Sequence, residues 1–315
     1  MSRENPMVSV ILTTYGHEAY IKEAISGVLI QICDFEVELI IANDCSPDHT
    51  DSVVQNIINT EPKALWIKYI NHKTNKGMMP NFLWALEQCK GKYIAFCDGD
   101  DYWTDPYKLQ KQVDFLDNNL DYGLIYTRSI NFNQLTKKFY NNNLFSKVNS
   151  FNELIESNKI STLTVLLKKD LVVSYFNEIS PEKEKWLMGD YPMWLFASLK
   201  SKIHFHDEVT GVYRVLEESA SNTNDIKKRE LFIISTFKIK LFFLEYCGEP
   251  FDKIRLSDQM NMTLCSNAIN YSHITLALTY FKRVKNLYLK IKLIKKGLIY
   301  CIRFVFQYLK NLNGS

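Results

Sequence analysis

The sequence predicts an α/β protein: a mostly parallel sheet with helices on both faces, extended at its C-terminal end by a helical region. Three observations carry that expectation. Short β-branched runs alternate with helical periodicity through the first half, polar and acidic residues recur just past those runs, and the last third turns helical and basic.

The first run is Val8-Ser9-Val10-Ile11-Leu12, followed by a helical pattern from Glu18 to Gln31. The second, Val37 to Ile41, is followed by a helix over about Asp48 to Asn59. Trp66 to Ile70 precedes a helix from about Met79 to Cys89, and Lys92 to Cys97 precedes one from about Pro106 to Asn118. Successive βα units of this kind build parallel pairs, because a parallel neighbour requires a crossover. Ligands of such sheets bind beyond the carboxyl ends of the strands. The middle, roughly 120 to 185, is less regular, and its Asn-rich stretch Asn131 to Asn152 reads as loop or edge structure. A helix over Met193 to Lys200 then leads into a strand pair around Ile203–Phe205 and Thr210–Arg214. A polar loop, Glu217 to Asp225, opens the helical end of the chain. The expected division is a catalytic domain over 1–222 and a basic helical region over 223–315.

A chain of 315 residues, 46% hydrophobic and 23% charged, can bury a full-sized core. Its seven cysteines form no C-x-x-C pair, so neither a zinc knuckle nor a disulfide framework is expected, and a reducing cytoplasm is the expected home. The first strand is reached without a basic segment and long apolar run, so no secretory signal is expected. Lys295, Lys296 and Arg303 interrupt the apolar C-terminal stretches, so no spanning helix is expected either. The net charge of +3 conceals an asymmetry. Residues 259–315 hold nine Lys or Arg and no Asp or Glu, leaving 29 basic against 35 acidic residues, a balance of −6, in the rest. A basic tail rich in Leu, Ile and aromatics favours an anionic membrane surface over nucleic acid. The alternative is an ordinary helix packed on the catalytic domain.

No G-x-G-x-x-G follows the first strand and no G-x-x-x-x-G-K-[ST] occurs, which disfavours dinucleotide-dependent oxidoreductases and P-loop enzymes. A nucleotidyltransferase usually shows a Gly-rich basic loop near its first strand, also missing here. His204 and His206 share a strand face but read as structural or surface residues.

The informative residues lie just past the strands: Thr13, Thr14 and Tyr15; Asn43-Asp44-Cys45-Ser46; Asn75-Lys76-Gly77; and Asp98-Gly99-Asp100-Asp101. Three carboxylates within four residues repel one another unless a cation sits among them. Aspartate oxygens suit Mg2+ or Mn2+, whose shell substrate phosphates complete. The alternative is a solvated Asp-Gly turn, with Asp105 capping the helix that starts at Pro106. Asn43 to Asp48 is likewise turn chemistry in which Ser46 or Asp48 caps the next helix, although the Asp44 carboxylate can accept from a base N–H and Tyr15 can stack on the ring.

Taken in order, Val8 to Tyr15, Asn43 to Thr50, Asn75-Lys76-Gly77 and Asp98-Gly99-Asp100-Asp101-Tyr102-Trp103 resemble the family 2 glycosyltransferases, over about residues 6 to 220. The resemblance implies a GT-A fold, a Rossmann-like nucleotide-binding mixed sheet with flanking helices, merged with an acceptor-binding half. It implies that Thr13, Tyr15 and Asp44 hold the base, with Asn75 and Gly77 also at the nucleotide. Asp98 would contact the ribose side, and Asp100 would coordinate Mn2+ or Mg2+ on the diphosphate. Continued at Gly189-Asp190-Tyr191-Pro192-Met193-Trp194-Leu195, it implies Asp190 as catalytic base, a residue that would otherwise read as a helix N-cap. Asp101, Trp103, Tyr191 and Trp194 would line the acceptor or sugar pocket.

Two departures stand out. The stretch Met78-Met79-Pro80-Asn81-Phe82 lacks the Arg that many relatives carry there, leaving Lys73 or Lys76, or the metal alone, to neutralise the diphosphate. Tyr213-Arg214-Val215-Leu216 lacks the His that often follows. The expected reaction is an inverting, metal-dependent hexosyl or N-acetylhexosaminyl transfer from a nucleotide sugar, UDP-linked by expectation. The acceptor would be a glycan or lipid-linked glycan of surface polysaccharide synthesis. The expected location is cytoplasmic, at the inner face of the cytoplasmic membrane, with no nucleic-acid partner. The alternative function is a non-catalytic nucleotide-sugar or glycan-binding module on the same fold.

Overall fold

The structure, a computed structural model, describes residues 6–141, 147–217, 219, 223–248 and 250–295. The chain divides into two compact units, Met1–Leu216 and Glu217–Ser315.

In the first unit, β1 (Val8–Thr14), α1 (Ile21–Leu29), β2 (Val37–Asn43), α2 (Thr50–Thr60), β3 (Ile67–Asn71), α3 (Met78–Gln88) and β4 (Tyr93–Phe96) follow the expected βα succession. β1 is buried but for Thr13, and β2 is buried throughout, as fits strands covered on both faces. After β4 come β5 (Tyr102–Trp103), α4 (Lys108–Asn118), β6 (Tyr122–Asn133), β7 (Lys138–Tyr140), α5 (Phe151–Glu156), β8 (Leu166–Lys168), α6 (Lys169–Ile179), α7 (Asp190–Lys200) and β9 (Lys202–Val215). The strands form one sheet in the order β3-β2-β1-β4-β8-β6-β9-β5, with β7 paired to β6. The β3-β2-β1-β4 half is parallel, whereas β8 runs antiparallel to both β4 and β6.

Two sequence expectations change here. Residues 122–133, expected to be irregular, form the 12-residue β6, flanked by β8 and β9. Its Arg, Ser and Asn content masked it. The Thr127 and Thr210 hydroxyls meet at 2.6 Å, whereas Ser129 Oγ and Asn131 Oδ1 are buried without a hydrogen-bond partner. The expected strand pair at 203–214 is one strand, β9, running parallel to β6 through register shifts near Tyr126 and Arg128. His206-Asp207-Glu208 reads as a turn, yet the bulges absorb it, with Arg128 paired to Asp207 at 3.0 Å. His204 stacks on Phe115, with ring centroids 3.9 Å apart, and His206 faces Glu208.

The C-terminal ends of β1 and β2 are level, Thr14 lying beside Asn43, and Asn43 beside Asn71 of β3. The chain then hands over by backbone bonds: Asp44 N–H donates to Thr14 O (2.9 Å), Cys97 N–H to Ile11 O (2.9 Å) and Gly99 N–H to Thr13 O (2.9 Å). This alignment brings the polar segments to one edge. Under that edge lies a core that includes Val10, Leu12, Ile25, Leu39, Tyr93 and Trp103, and each fully buried aliphatic side chain there stabilises the fold by about 1.5–3 kcal/mol.

In the second unit, α8 (Ile226–Tyr246), α9 (Lys253–Asn270) and α10 (Ile274–Arg283) pack about Leu264, Ala268, Tyr280, Val284 and Leu293. Asp225 and Asp252 cap α8 and α9, each accepting two backbone N–H groups. Residues 287–295 are helical, tied down where Asp258 accepts from the Lys285 and Asn286 N–H groups at 2.7 and 2.8 Å. Lys296 and Arg303, and the rest of the expected basic helical region beyond residue 295, lie outside the described residues.

Candidate active site

The loop after β1 is held by the loop after β2. Gly16 N–H donates to Ser46 Oγ (3.0 Å), Glu18 N–H to Asp48 Oδ2 (2.9 Å) and His17 N–H to Thr50 Oγ1 (3.0 Å). Tyr15 is left 49% exposed on this edge. Asp48 rather than Ser46 serves the start of α2, accepting from Thr50 N–H at 3.1 Å. Cys45 sits at φ 60°, a sparsely populated conformation for a side chain with Cβ, and so turns the chain sharply between Asp44 and Ser46.

Asp44 is 3% exposed, and its two oxygens accept from the N–H groups of Lys76 (2.7 Å) and Gly77 (2.9 Å). It thereby draws the segment after β3 against the end of β2. Asn75 Oδ1 also accepts from Gly77 N–H (2.8 Å), and Gly77 takes φ 90° as α3 begins. Each Asp44 oxygen keeps a further lone pair for a ligand donor. Lys73 and Lys76 are exposed and belong to no ion pair among the described residues.

The turn after β4 gathers the acids. Thr13 Oγ1 donates to Asp98 Oδ1 at 3.0 Å. A Cβ on Gly99 would sit 2.6 Å from Thr14 Oγ1 and 2.7 Å from His17 Nδ1, so only glycine lets the turn pass beneath them. Burial, with Asp100 and then Asp190 adding negative charge, pushes the Asp98 carboxyl up to about 7. Burial likewise raises Asp100 to about 6, against the opposing charge of Arg214, and drives Asp101 well above the carboxylate range. His17 is lowered by burial, against the pull of Asp98 and Asp48.

Arg214 holds this turn from β9. Its N–H donates to Asp101 Oδ1 (2.8 Å), its Nε to Asp100 O (2.8 Å) and its Nη1 to Gln134 (2.8 Å), while Nη2 pairs with Glu23. Asp101 is 2% exposed and therefore braces the turn instead of lining an acceptor pocket. Trp103, Tyr191 and Trp194, also expected to line that pocket, are 2%, 0% and 0% exposed. Trp103 donates its indole N–H to Leu163 O at 2.7 Å beneath the Lys108 ammonium, and the Tyr191 hydroxyl donates to Leu154 O at 3.0 Å. They are core residues because α7 and β5 turn their apolar sides inward. Asp105 accepts from Tyr107 N–H (2.9 Å), but the regular helix begins at Lys108.

Asp190 opens α7 and lies close enough to Asp98 for its charge to be felt there. Its Oδ1 accepts from Tyr191 N–H (2.7 Å) and its Oδ2 from the Thr162 hydroxyl (2.6 Å). Sequence reasoning missed Thr162, His17 and the several bonds of Arg214. Only Arg214 carried a signal, in Tyr213-Arg214-Val215.

Among the described residues no three His, Cys, Asp or Glu side chains converge to hold a metal by themselves. The acids nonetheless fit a divalent cation that substrate phosphates complete. Asp98 feels the charge of both Asp100 and Asp190, and none of the three side chains belongs to an ion pair among the described residues.

A mixed sheet with acids, a threonine and an exposed tyrosine on the carboxyl edge of its parallel half has the layout of a GT-A fold. Residues 9–173 match the family described as Glycosyl transferase family 2, and the chain belongs to that family. It is 29% identical over 236 residues to the Escherichia coli UDP-Glc:alpha-D-GlcNAc-diphosphoundecaprenol beta-1,3-glucosyltransferase WfgD, covering 73% of this chain and 86% of that one. It is 41% identical over 112 residues to Uncharacterized protein Rv1520 of Mycobacterium tuberculosis, a stretch covering 36% of this chain and 32% of that protein. The chain thus spans about a third of the length of the first curated relatives it matches. Among solved structures, S. aureus TarS 1-349 in complex with UDP-GlcNAc superposes with a TM-score of 0.56 at 17% identity, covering 89% of this chain and 91% of that one. The mannosyltransferase PcManGT from Pyrobaculum calidifontis, in complex with GDP-Man and Mn2+, gives 0.58 at 13%, covering 97% and 85%. The shared fold is GT-A.

Proposed function

We propose that the chain is a metal-dependent, inverting glycosyltransferase that moves a hexosyl or N-acetylhexosaminyl group from a UDP-linked donor to a glycan or lipid-linked glycan in surface polysaccharide synthesis. The observation that carries this is that Asp98, just past β4, is within reach of the charges of Asp100 and Asp190 and is bonded to Thr13, two residues before the exposed Tyr15. The relative WfgD, whose name gives a UDP-Glc donor and a diphosphoundecaprenol acceptor, supports the donor and acceptor classes.

In this reading Tyr15 stacks on the base, Thr13 and Asp44 bind its polar edge, and Asn75 and Gly77 present the loop that Asp44 holds. Asp98 meets the ribose. Asp100, with Asp98 beside it, would hold Mn2+ or Mg2+, which when bound supplies Lewis-acid neutralisation of the departing diphosphate. Asp190 accepts the proton of the attacking acceptor hydroxyl, and a single displacement inverts the anomeric centre. Lys73 and Lys76, solvated beside this loop, add positive charge for the phosphates.

Thermal unfolding with a panel of nucleotide sugars tests the binding half of this reading. A donor at about a hundred times its Kd adds about 2.7 kcal/mol, which in a unit of this size raises Tm by about 5–10 °C. The rise should require Mn2+ or Mg2+ and vanish with EDTA. A panel that leaves Tm unmoved sinks the reading. A rise without any turnover instead favours the non-catalytic binding module.

The second unit also bears on the acceptor. The helix at 287–295 buries Leu289 in part and Leu293 almost fully, yet turns Leu287, Ile291 and Ile294 outward at helical spacing among Lys290, Lys292 and Lys295. No helix among the described residues is long and apolar enough to cross a membrane. We propose peripheral contact with an anionic, cytoplasm-facing membrane through this face. The protein should sediment with phosphatidylglycerol vesicles and stay free with phosphatidylcholine ones, and Leu287→Ser with Ile291→Ser should weaken sedimentation about tenfold or more. Equal recovery with both lipids removes the proposal.

A further inference from the structure

The Asp190 carboxylate is hydrogen-bonded on both oxygens, but the two donors differ in kind. Tyr191 N–H is part of the same helix start and moves with it. The Thr162 hydroxyl, 2.6 Å from Oδ2, comes from 28 residues away on a separate piece of chain.

That piece is a short 3-10 turn, Thr162–Thr164, and buried side chains fix it on several sides. Leu163 is fully buried and its carbonyl accepts from Trp103 Nε1 at 2.7 Å. The Thr164 carbonyl accepts from Gln112 Nε2 at 2.8 Å, and Thr164 Oγ1 closes the turn onto Ser161 O at 2.6 Å. Gln112 accepts in turn from Lys108 Nζ (2.8 Å), whose ammonium lies 4.2 Å from the Trp103 ring centroid. Trp103 is two residues beyond Asp101. One clamp therefore ties the acidic turn after β4 to the turn that carries Thr162, and Thr162 passes that reference to Asp190. On the other side the helix start is set by Gly189, where a Cβ would fall 2.5 Å from the Phe82 ring.

A carboxylate's terminal torsion is broad, so without a second donor the plane of Asp190 would rotate freely. A base works only when its lone pair meets the proton it takes, and displacements near 1 Å cost about 10²-fold in rate. We propose that Thr162 is a positioning residue for the proposed base. Its hydroxyl occupies one lone pair of Oδ2 and locks the carboxylate plane, directing a remaining lone pair at the acceptor hydroxyl. This inference rests on the reading of Asp190 as base and adds the element that aims it.

The test compares wild type, Thr162→Val, Thr162→Ala, Thr162→Ser and Asp190→Asn in nucleoside diphosphate release from UDP-glucose and UDP-N-acetylglucosamine with Mn2+, after thermal melts of each variant. Loss of one hydrogen bond to a charged group predicts a fall in kcat of about 10- to 100-fold for Thr162→Val and Thr162→Ala. Donor KM should stay unchanged, and Thr162→Ser should restore kcat to within about threefold of wild type. A folded Thr162→Val or Thr162→Ala variant with wild-type kcat, beside an inactive Asp190→Asn, overturns the Thr162 inference alone. So does a loss that Ser fails to rescue or that appears equally in donor KM, since that is the mark of a merely structural role. An Asp190→Asn enzyme that turns over normally, or a wild type that releases nothing from either donor, removes the base reading and this inference with it. If Thr162→Val fails to fold, Thr162→Ala and Thr162→Ser decide.

Discussion

Asp190→Asn should lower kcat by about 10²–10⁴-fold, the usual contribution of a general base, while leaving donor affinity within about threefold of wild type. Asparagine keeps the size of the side chain; its Oδ1 can still accept from Tyr191 N–H and its Nδ2 can donate to the Thr162 hydroxyl, so α7 should start in the same place. What it loses is the basic oxygen. Steady-state kinetics with the donor identified by thermal shift, together with a melt of the variant, separates this outcome from misfolding. A variant that keeps more than about a third of wild-type kcat would place the base elsewhere.

Asp100→Asn has an opposite pair of effects. In the presence of Mn2+ it should lower turnover about 10²-fold or more, because the metal loses the carboxylate that would hold it. In EDTA at pH 8 the same change should raise Tm by about 2–4 °C, the size of about 1 kcal/mol in a unit this large. The sign follows from burial. The Asp100 carboxyl is raised to about 6 in the folded protein, above its unfolded value, so its ionised form costs the folded state stability as pH rises through 6. Asparagine removes that cost at pH 8 and gains little at about pH 3, where both states are mostly protonated. Melts at the two pH values, with and without Mn2+, check both halves. A fall in Tm at pH 8 in EDTA would mean that Asp100 braces the turn instead of waiting for a cation.

The parallel half of the fold was legible because its signals are local. Fully buried strands such as Val8-Ser9-Val10-Ile11-Leu12 read as continuous apolar runs, and Gly77 and Gly99 mark turns whose geometry requires them. The second half was not legible for the opposite reason. β6 mixes Thr127, Arg128, Ser129 and Asn131 into a strand held by partners distant in sequence, with Thr127 meeting Thr210 and Arg128 meeting Asp207. β9 carries His206-Asp207-Glu208 across bulges that exist only in its pairing with β6.

The same division applies to the site. Asp98, Asp100 and Asp190 stood out as acids at strand or helix ends, whereas Trp103, Tyr191 and Trp194 were read for a pocket and proved to be core. Aromatics beside acids look alike in sequence whether they face a ligand or a neighbouring helix. Asp101 looked equivalent to Asp100, and only the Arg214 backbone N–H distinguishes them, a contact 113 residues away. Thr162 had no local signal at all, since its role exists only once α7 is docked beside it.

The central claim is that these acids serve glycosyl transfer from a nucleotide sugar. The measurement that tests it most directly is nucleoside diphosphate release from UDP-, GDP- and dTDP-linked sugars by the purified chain, with Mn2+ and again with EDTA, with and without lipid-linked acceptor. Release from one donor class is expected, dependent on the metal and stimulated by acceptor, and reduced by about 10²-fold or more in Asp190→Asn. Binding of a donor with no release under any of these conditions would contradict it.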